Sequence, residues 1–191
     1  ISKSDLCSDL VGEYPELQGV MGKYFALSQG FEEDVANSIS DHYLPTGLTS
    51  ELPKKPFSYS ISIVDKIDTL VGFFVIDEKP TSSKDPFALR RAAIGLLRII
   101  IENKLVFKLR DLISYSIRLY GEQSVEIKNE KTEQEVLDFI KERIRNVLKL
   151  KNIKPDIIEA SISSHAGDNF LDLYKKTLLI NKYKNKGIGL N

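Results

Sequence analysis

Apolar positions recur every three to four residues through most of this chain, the spacing that lines one face of an α-helix. Leu6, Leu10 and Val11 open the pattern. Pro15, at home in a first helical turn, leads into a stripe of Leu17, Met21, Tyr24 and Phe25 that Gly30 stops. A third short helix is predicted over 32–43, with Val35, Ile39 and Tyr43 on one face behind an acidic first turn. Pro45, Gly47, Pro53 and Pro56 mark a long irregular connection. Over 57–74, Ile63, Ile67, Leu70 and Phe74 keep a 3.6 period with Val64 flanking. The alternation across 58–63 also fits a strand, but the continuing period favours helix.

Asp85 before Pro86 predicts the N-cap and first helical position of the next helix. Its buried face is Leu89, Ala93, Leu96, Leu97 and Ile100, and Arg91, Gly95, Arg98 and Glu102 form a second stripe. Gly95 weakens that helix by about 1 kcal/mol relative to alanine, which fits a close neighbour on that face. A helix over 106–120 turns Leu109, Leu112, Ile113, Ile117 and Tyr120 inward. Polar residues 121–131 read as a surface loop. Thr132 to Glu135 has the form of a capping box, in which hydroxyl and carboxylate satisfy each other's backbone N–H groups. The helix behind it buries Leu137, Ile140, Ile144, Val147 and Leu148 and is basic in its second half. Pro155 to Ser164 is a shorter helix. Asp168 is the expected cap of the last one, which runs through Phe170, Leu171, Tyr174, Leu178 and Leu179. The expected class is all-α, with a boundary near 121–131.

Composition changes little: 191 residues, 42% hydrophobic and 28% charged, are ordinary for a globular protein with a real core. Charge changes more. The formal net charge is zero, yet residues 1–53 hold nine acids against two bases, so 54–191 are net basic. That distribution suits nucleic acid as well as it suits solvated faces. Cys7 is the single cysteine, which excludes an intrachain disulfide and a cysteine zinc site and fits a reducing compartment. Apolar runs are too short to span a membrane. The chain starts at Ile1 and ends beyond Gly187-Ile188-Gly189, and is expected to be an internal piece of a longer protein.

Few residues offer chemistry. His42, Asp65 and Asp68 are the nearest approach to a metal site of the His-Asp hydrolase type, but no His-Asp pair is present and His165 is the only other histidine. Cys7 lies on an apolar-periodic segment and is expected to be buried and inert. No Gly-rich phosphate loop of the Walker or Rossmann type occurs. The most promising stretch is Ser82-Ser83-Lys84-Asp85-Pro86 followed by Arg90 and Arg91. Hydroxyls, a helix N-terminus and cations are what phosphodiester contact needs. The alternative is equally open: Asp85 fills the cap itself, and the arginines pair with Asp65, Asp68 or Glu102.

At these residues a resemblance appears. The run from Pro80 to Ala93 resembles the signature of the bacterial glycyl-tRNA synthetase β subunit. So do Asp65 to Gly72, Lys3 to Leu6 with Val11 to Gly22, and His42 to Pro45, in the family's order. The resemblance implies a degenerate His-Asp-type (HD-like) helical domain over 1–121. Helices over 122–191 would lead toward an anticodon-binding region. It implies an α2β2 enzyme that joins glycine to tRNA in the cytoplasm with ATP and Mg, neither bound by this fragment, which has no catalytic centre or metal of its own. Expected partners are the α subunit and tRNA, with no membrane. Lys84, Arg90, Arg91 and Arg98 are the tRNA-binding candidates, and the basic faces of the two C-terminal helices are a second region. The competing readings are a metal-dependent phosphohydrolase and an architectural module docking the α subunit.

Overall fold

The computed structural model describes residues 2–81, 83–165 and 167–185; Ser82 and the Gly187-Ile188-Gly189 run lie outside them. Among the described residues there are helices and no strands. The elements are α1 (Asp9–Glu13), α2 (Val20–Ser28), α3 (Glu33–Asp41), α4 (Pro56–Val75), α5 (Leu89–Glu102), α6 (Leu109–Glu122), α7 (Thr132–Lys149), α8 (Pro155–Ser164) and α9 (Phe170–Asn185). Short 3₁₀ turns at Ser4–Cys7 and Pro15–Leu17 precede α1 and α2. The chain divides into two compact units, residues 1–66 and 67–191, and α4 contributes its first half to one and its second half to the other.

In the first unit α2 packs on α3 through small residues, Gly22 and Ala26. A Cβ on Gly22 would lie 2.6 Å from Cγ2 of Ile39, so only glycine permits that approach. This turns α2 away from the expected stripe: Tyr24 faces solvent instead of the interior, and Leu17, Met21 and Phe25 are half-buried. The same holds for α3, where Ala36 and Ser38 are buried and Val35 and Ile39 are only partly so. The Asp5 carboxylate is buried and accepts the Gly19 N–H at 2.6 Å, tying the first turn to the start of α2. Cys7, expected inside, is exposed.

The second unit is centred on α5 and α7, which pack together. Leu89, Ala93, Leu96, Leu97, Ile99, Ile100 and Ile101 are buried on α5, and Val136, Leu137, Ile140, Ile144, Val147 and Leu148 on α7. α6, α8 and α9 flank α7. Several end signals act differently from expectation. The capping box does not close: the Thr132 hydroxyl donates to the Asn129 carbonyl at 2.6 Å, and Glu135 pairs with Lys79 at 2.6 Å. Asn169 caps α9, its side-chain oxygen accepting the Asp172 N–H at 3.0 Å. Asp168 instead accepts the Arg110 N–H at 2.8 Å and so caps α6, 58 residues earlier. Leu112, expected inward, is exposed.

Candidate functional site

The loop between α4 and α5 is held at both ends by its own side chains. Phe87 stacks on Phe73 of α4 with ring centroids 4.0 Å apart. Asp85 caps α5 from four residues before its start: one carboxylate oxygen accepts the Leu89 N–H at 2.8 Å and the other the Arg90 N–H at 3.0 Å. The helix therefore begins at Leu89, three residues later than the Asp85-Pro86 signal predicts. Ala88 makes the reversal in the left-handed region at φ 55°. Because the Asp85 carboxylate holds these N–H groups, the α5 terminus is not open to a phosphate.

The four candidate cations fall into different situations. Arg90 reaches back into the loop, donating to the Thr81 carbonyl and, at 3.4 Å, to the Lys84 carbonyl, with the Asp85 carboxylate 3.8 Å away. It is a clamp within the loop. Asp65 pairs with Lys3 at 2.6 Å, and Asp68 is exposed, its backbone carbonyl accepting the Tyr120 hydroxyl at 3.3 Å. Lys84 and Arg91 are exposed and carry no ion pair among the described residues. Arg98, two turns along the same stripe as Arg91, is half-buried; burial lowers its pKa and the Glu102 carboxylate raises it. Of the four, Lys84 and Arg91 are thus the cations left for a ligand.

The basic half of α7 is largely committed. Lys141 donates to the His165 carbonyl at 2.7 Å, Arg143 lies over the Phe139 ring, and Arg145 grips Glu159 with two bonds of 2.7 and 2.8 Å. Lys149 and Lys154 remain exposed, as does Lys175 on α9.

The residues suited to a metal are arranged otherwise. His42 is fully buried, with Nδ1 2.7 Å from the Ile39 carbonyl; burial is the main cause that lowers its pKa. Among the described residues no three His, Cys, Asp or Glu side chains converge to hold an ion. A buried lysine occupies this region instead. Lys66 is 5% exposed and donates to the carbonyls of His42 (3.1 Å) and Leu44 (2.9 Å) and to the Ser62 hydroxyl (2.9 Å). Its signal in the sequence was the polar series Ser58, Ser62, Lys66, spaced four apart on one side of α4, all three buried.

Comparison with known proteins bears on this arrangement. The family described as glycyl-tRNA synthetase beta subunit matches residues 1–163. The glycine–tRNA ligase beta subunit of Rickettsia canadensis is 45% identical over 88% of this chain and 24% of its own length. That of Colwellia psychrerythraea is 46% identical over 85% of this chain and 23% of its own, and that of Ruegeria sp. 36% identical over all of this chain and 26% of its own. The chain therefore spans about a quarter of the length of these relatives. The match runs through the loop, the Asp85 cap, the α4 motif and both compact units, and the chain belongs to the glycyl-tRNA synthetase beta subunit family.

Proposed function

We propose that this chain is a central piece of a glycine–tRNA ligase β subunit and serves that enzyme by binding tRNA and by building subunit architecture. The enzyme is read as an α2β2 assembly that charges tRNA with glycine at the expense of ATP. ATP and Mg would be handled outside this piece, and the cytoplasm is the expected compartment. Residues 122–191 would lead toward the anticodon-binding region.

The observation that carries the tRNA reading is the split among the loop cations. Arg90 is used up in holding the loop, and that leaves Lys84 and Arg91 displayed on a fixed support. Fixed, exposed cations without acidic partners suit phosphate, because contact releases counterions and no internal ion pair has to break. A metal-dependent hydrolase is less well supported: the ammonium of Lys66 sits at the carbonyl of His42, and a cation there opposes a bound metal ion.

The test uses the assembled enzyme. Arg91→Glu with Lys84→Glu should raise KM for tRNA about tenfold, leave KM for glycine and ATP unchanged, and lower the salt slope of tRNA binding by roughly one per lost contact. Arg90→Glu should instead lower the melting temperature, since it removes the loop's own clamp. An unchanged KM and salt slope in the double variant would overturn the assignment.

A further inference from the structure

We propose that the outward face of α2 is a docking surface for a segment of protein, apolar in its middle and carrying lysine or arginine at its ends. α2 is amphipathic the wrong way round for a lone helix. Its inward positions are Gly22 and Ala26, while Val20, Tyr24 and Leu27 point outward at 44%, 59% and 38% exposure. Those three are spaced i, i+4, i+7, so they form one stripe along the helix. The large side chains are thus spent on the surface, and the small ones let α3 approach. A face of this kind gains stability only when something covers it. The i, i+4, i+7 spacing is the one by which helices pack on each other.

Charge selects the occupant. Glu13 and Glu16 precede the stripe in the chain, and Glu32 and Glu33 follow it. All four are exposed and carry no ion pair among the described residues. The other bases of this unit do not balance them: Lys3 is taken by Asp65 and Lys55 by Asp34, and Lys66 is buried, which leaves Lys23 on α2 and the exposed Lys54. Glutamates that precede and follow α2 in the chain disfavour nucleic-acid phosphates at this helix, so the face is unsuited to tRNA. It suits a protein segment whose basic ends meet the glutamates while its apolar side chains cover Tyr24 and Leu27.

The experiment places the photocrosslinker p-benzoylphenylalanine at Tyr24 in the assembled enzyme, with tRNA present, and identifies the product by mass spectrometry. A crosslinked peptide with apolar residues flanked by lysine or arginine is expected. Glu16→Lys with Glu33→Lys should cut its yield by about threefold or more. These are exposed positions, so the melting temperature should hold. A crosslink to tRNA, a crosslink to the same acidic face of a second copy, or no macromolecular product overturns the proposal. The assembly itself is taken from the function proposed above, but the two fail separately. Tyr24 reports the α2 face, whereas the tRNA reading stands or falls on KM in the Lys84 and Arg91 variant.

Discussion

One buried lysine gives the first unit a pH-dependent contribution to stability at alkaline pH. Lys66 is buried among three neutral oxygen acceptors and, among the described residues, meets no carboxylate at hydrogen-bond distance. Burial pushes its pKa down from 10.5 to about 8; the Asp65 carboxylate opposes this, and the Lys3 ammonium adds to it. The folded chain therefore releases this proton more easily than the unfolded chain does. Between pH 8 and 10.5 the unfolded state binds more protons, so the contribution of Lys66 makes stability rise with pH. The slope is at most about 1.4 kcal/mol per pH unit. Below pH 8 the full burial cost of the ammonium is present. Lys66→Met removes this titration. In urea unfolding between pH 7.5 and 10.5, the difference in stability between wild type and Lys66→Met should shift toward wild type as pH rises. A constant difference across that range would mean that Lys66 keeps an ordinary pKa in the fold.

At the level of elements, the tip of the Tyr120 side chain on α6 rests against the backbone of α4 at Gly72. A Cβ on Gly72 would lie 2.5 Å from the Tyr120 hydroxyl oxygen and 3.0 Å from its ring carbon Cζ. The same hydroxyl donates to the Asp68 carbonyl one turn earlier, and burial raises its pKa to about 12. Gly72→Ala should cost about 1–3 kcal/mol through overpacking, offset by about 1 kcal/mol of helix propensity that alanine returns, measured by denaturant unfolding. Tyr120→Phe removes the nearest atom, so the double variant should recover part of that loss; a strictly additive cycle would refute the contact. None of this was visible in the sequence, because one helix's need for glycine arises from a tyrosine 48 positions away. The same limit explains the misplaced caps. Asp168 stands directly before a helix and reads as its cap, yet it serves α6, and the adjoining Asn169 serves α9. Asp85 was legible as a cap, but its carboxylate reaches four and five residues ahead through the turn at Ala88, so the helix start was misplaced. What the period did predict well is α5 and α7, whose buried faces are long stripes dominated by leucine, isoleucine and valine. It failed at α2, where Gly22 and Ala26 let α3 come closest and rotated Tyr24 outward. At the candidate site, residue type pointed to Lys84, Arg90 and Arg91 as cations, but only geometry separates the clamp from the two left exposed.

Across the whole molecule the charge follows the two units. Residues 1–66 hold ten acids and five bases, and residues 67–191 hold 17 acids and 22 bases, so a neutral chain is one unit at −5 and one at +5. The proposed tRNA cations lie in the basic unit and the proposed protein-docking face in the acidic one. This division makes a prediction that neither site makes alone. Counterion release counts only cations that meet phosphate, so charge changes in the acidic unit should not alter the slope of log affinity for tRNA against log salt. Lys54 is exposed and unpaired among the described residues of the acidic unit, and it is the control for Lys84. Lys54→Glu and Lys84→Glu make the same change in net charge, so any general effect of net charge on association is common to both. Measured in the assembled enzyme between about 50 and 200 mM salt, Lys84→Glu should reduce the slope by roughly one while Lys54→Glu leaves it at the wild-type value. Equal reductions would show that tRNA responds to the net charge of the chain, with no localised contact at the α4–α5 loop.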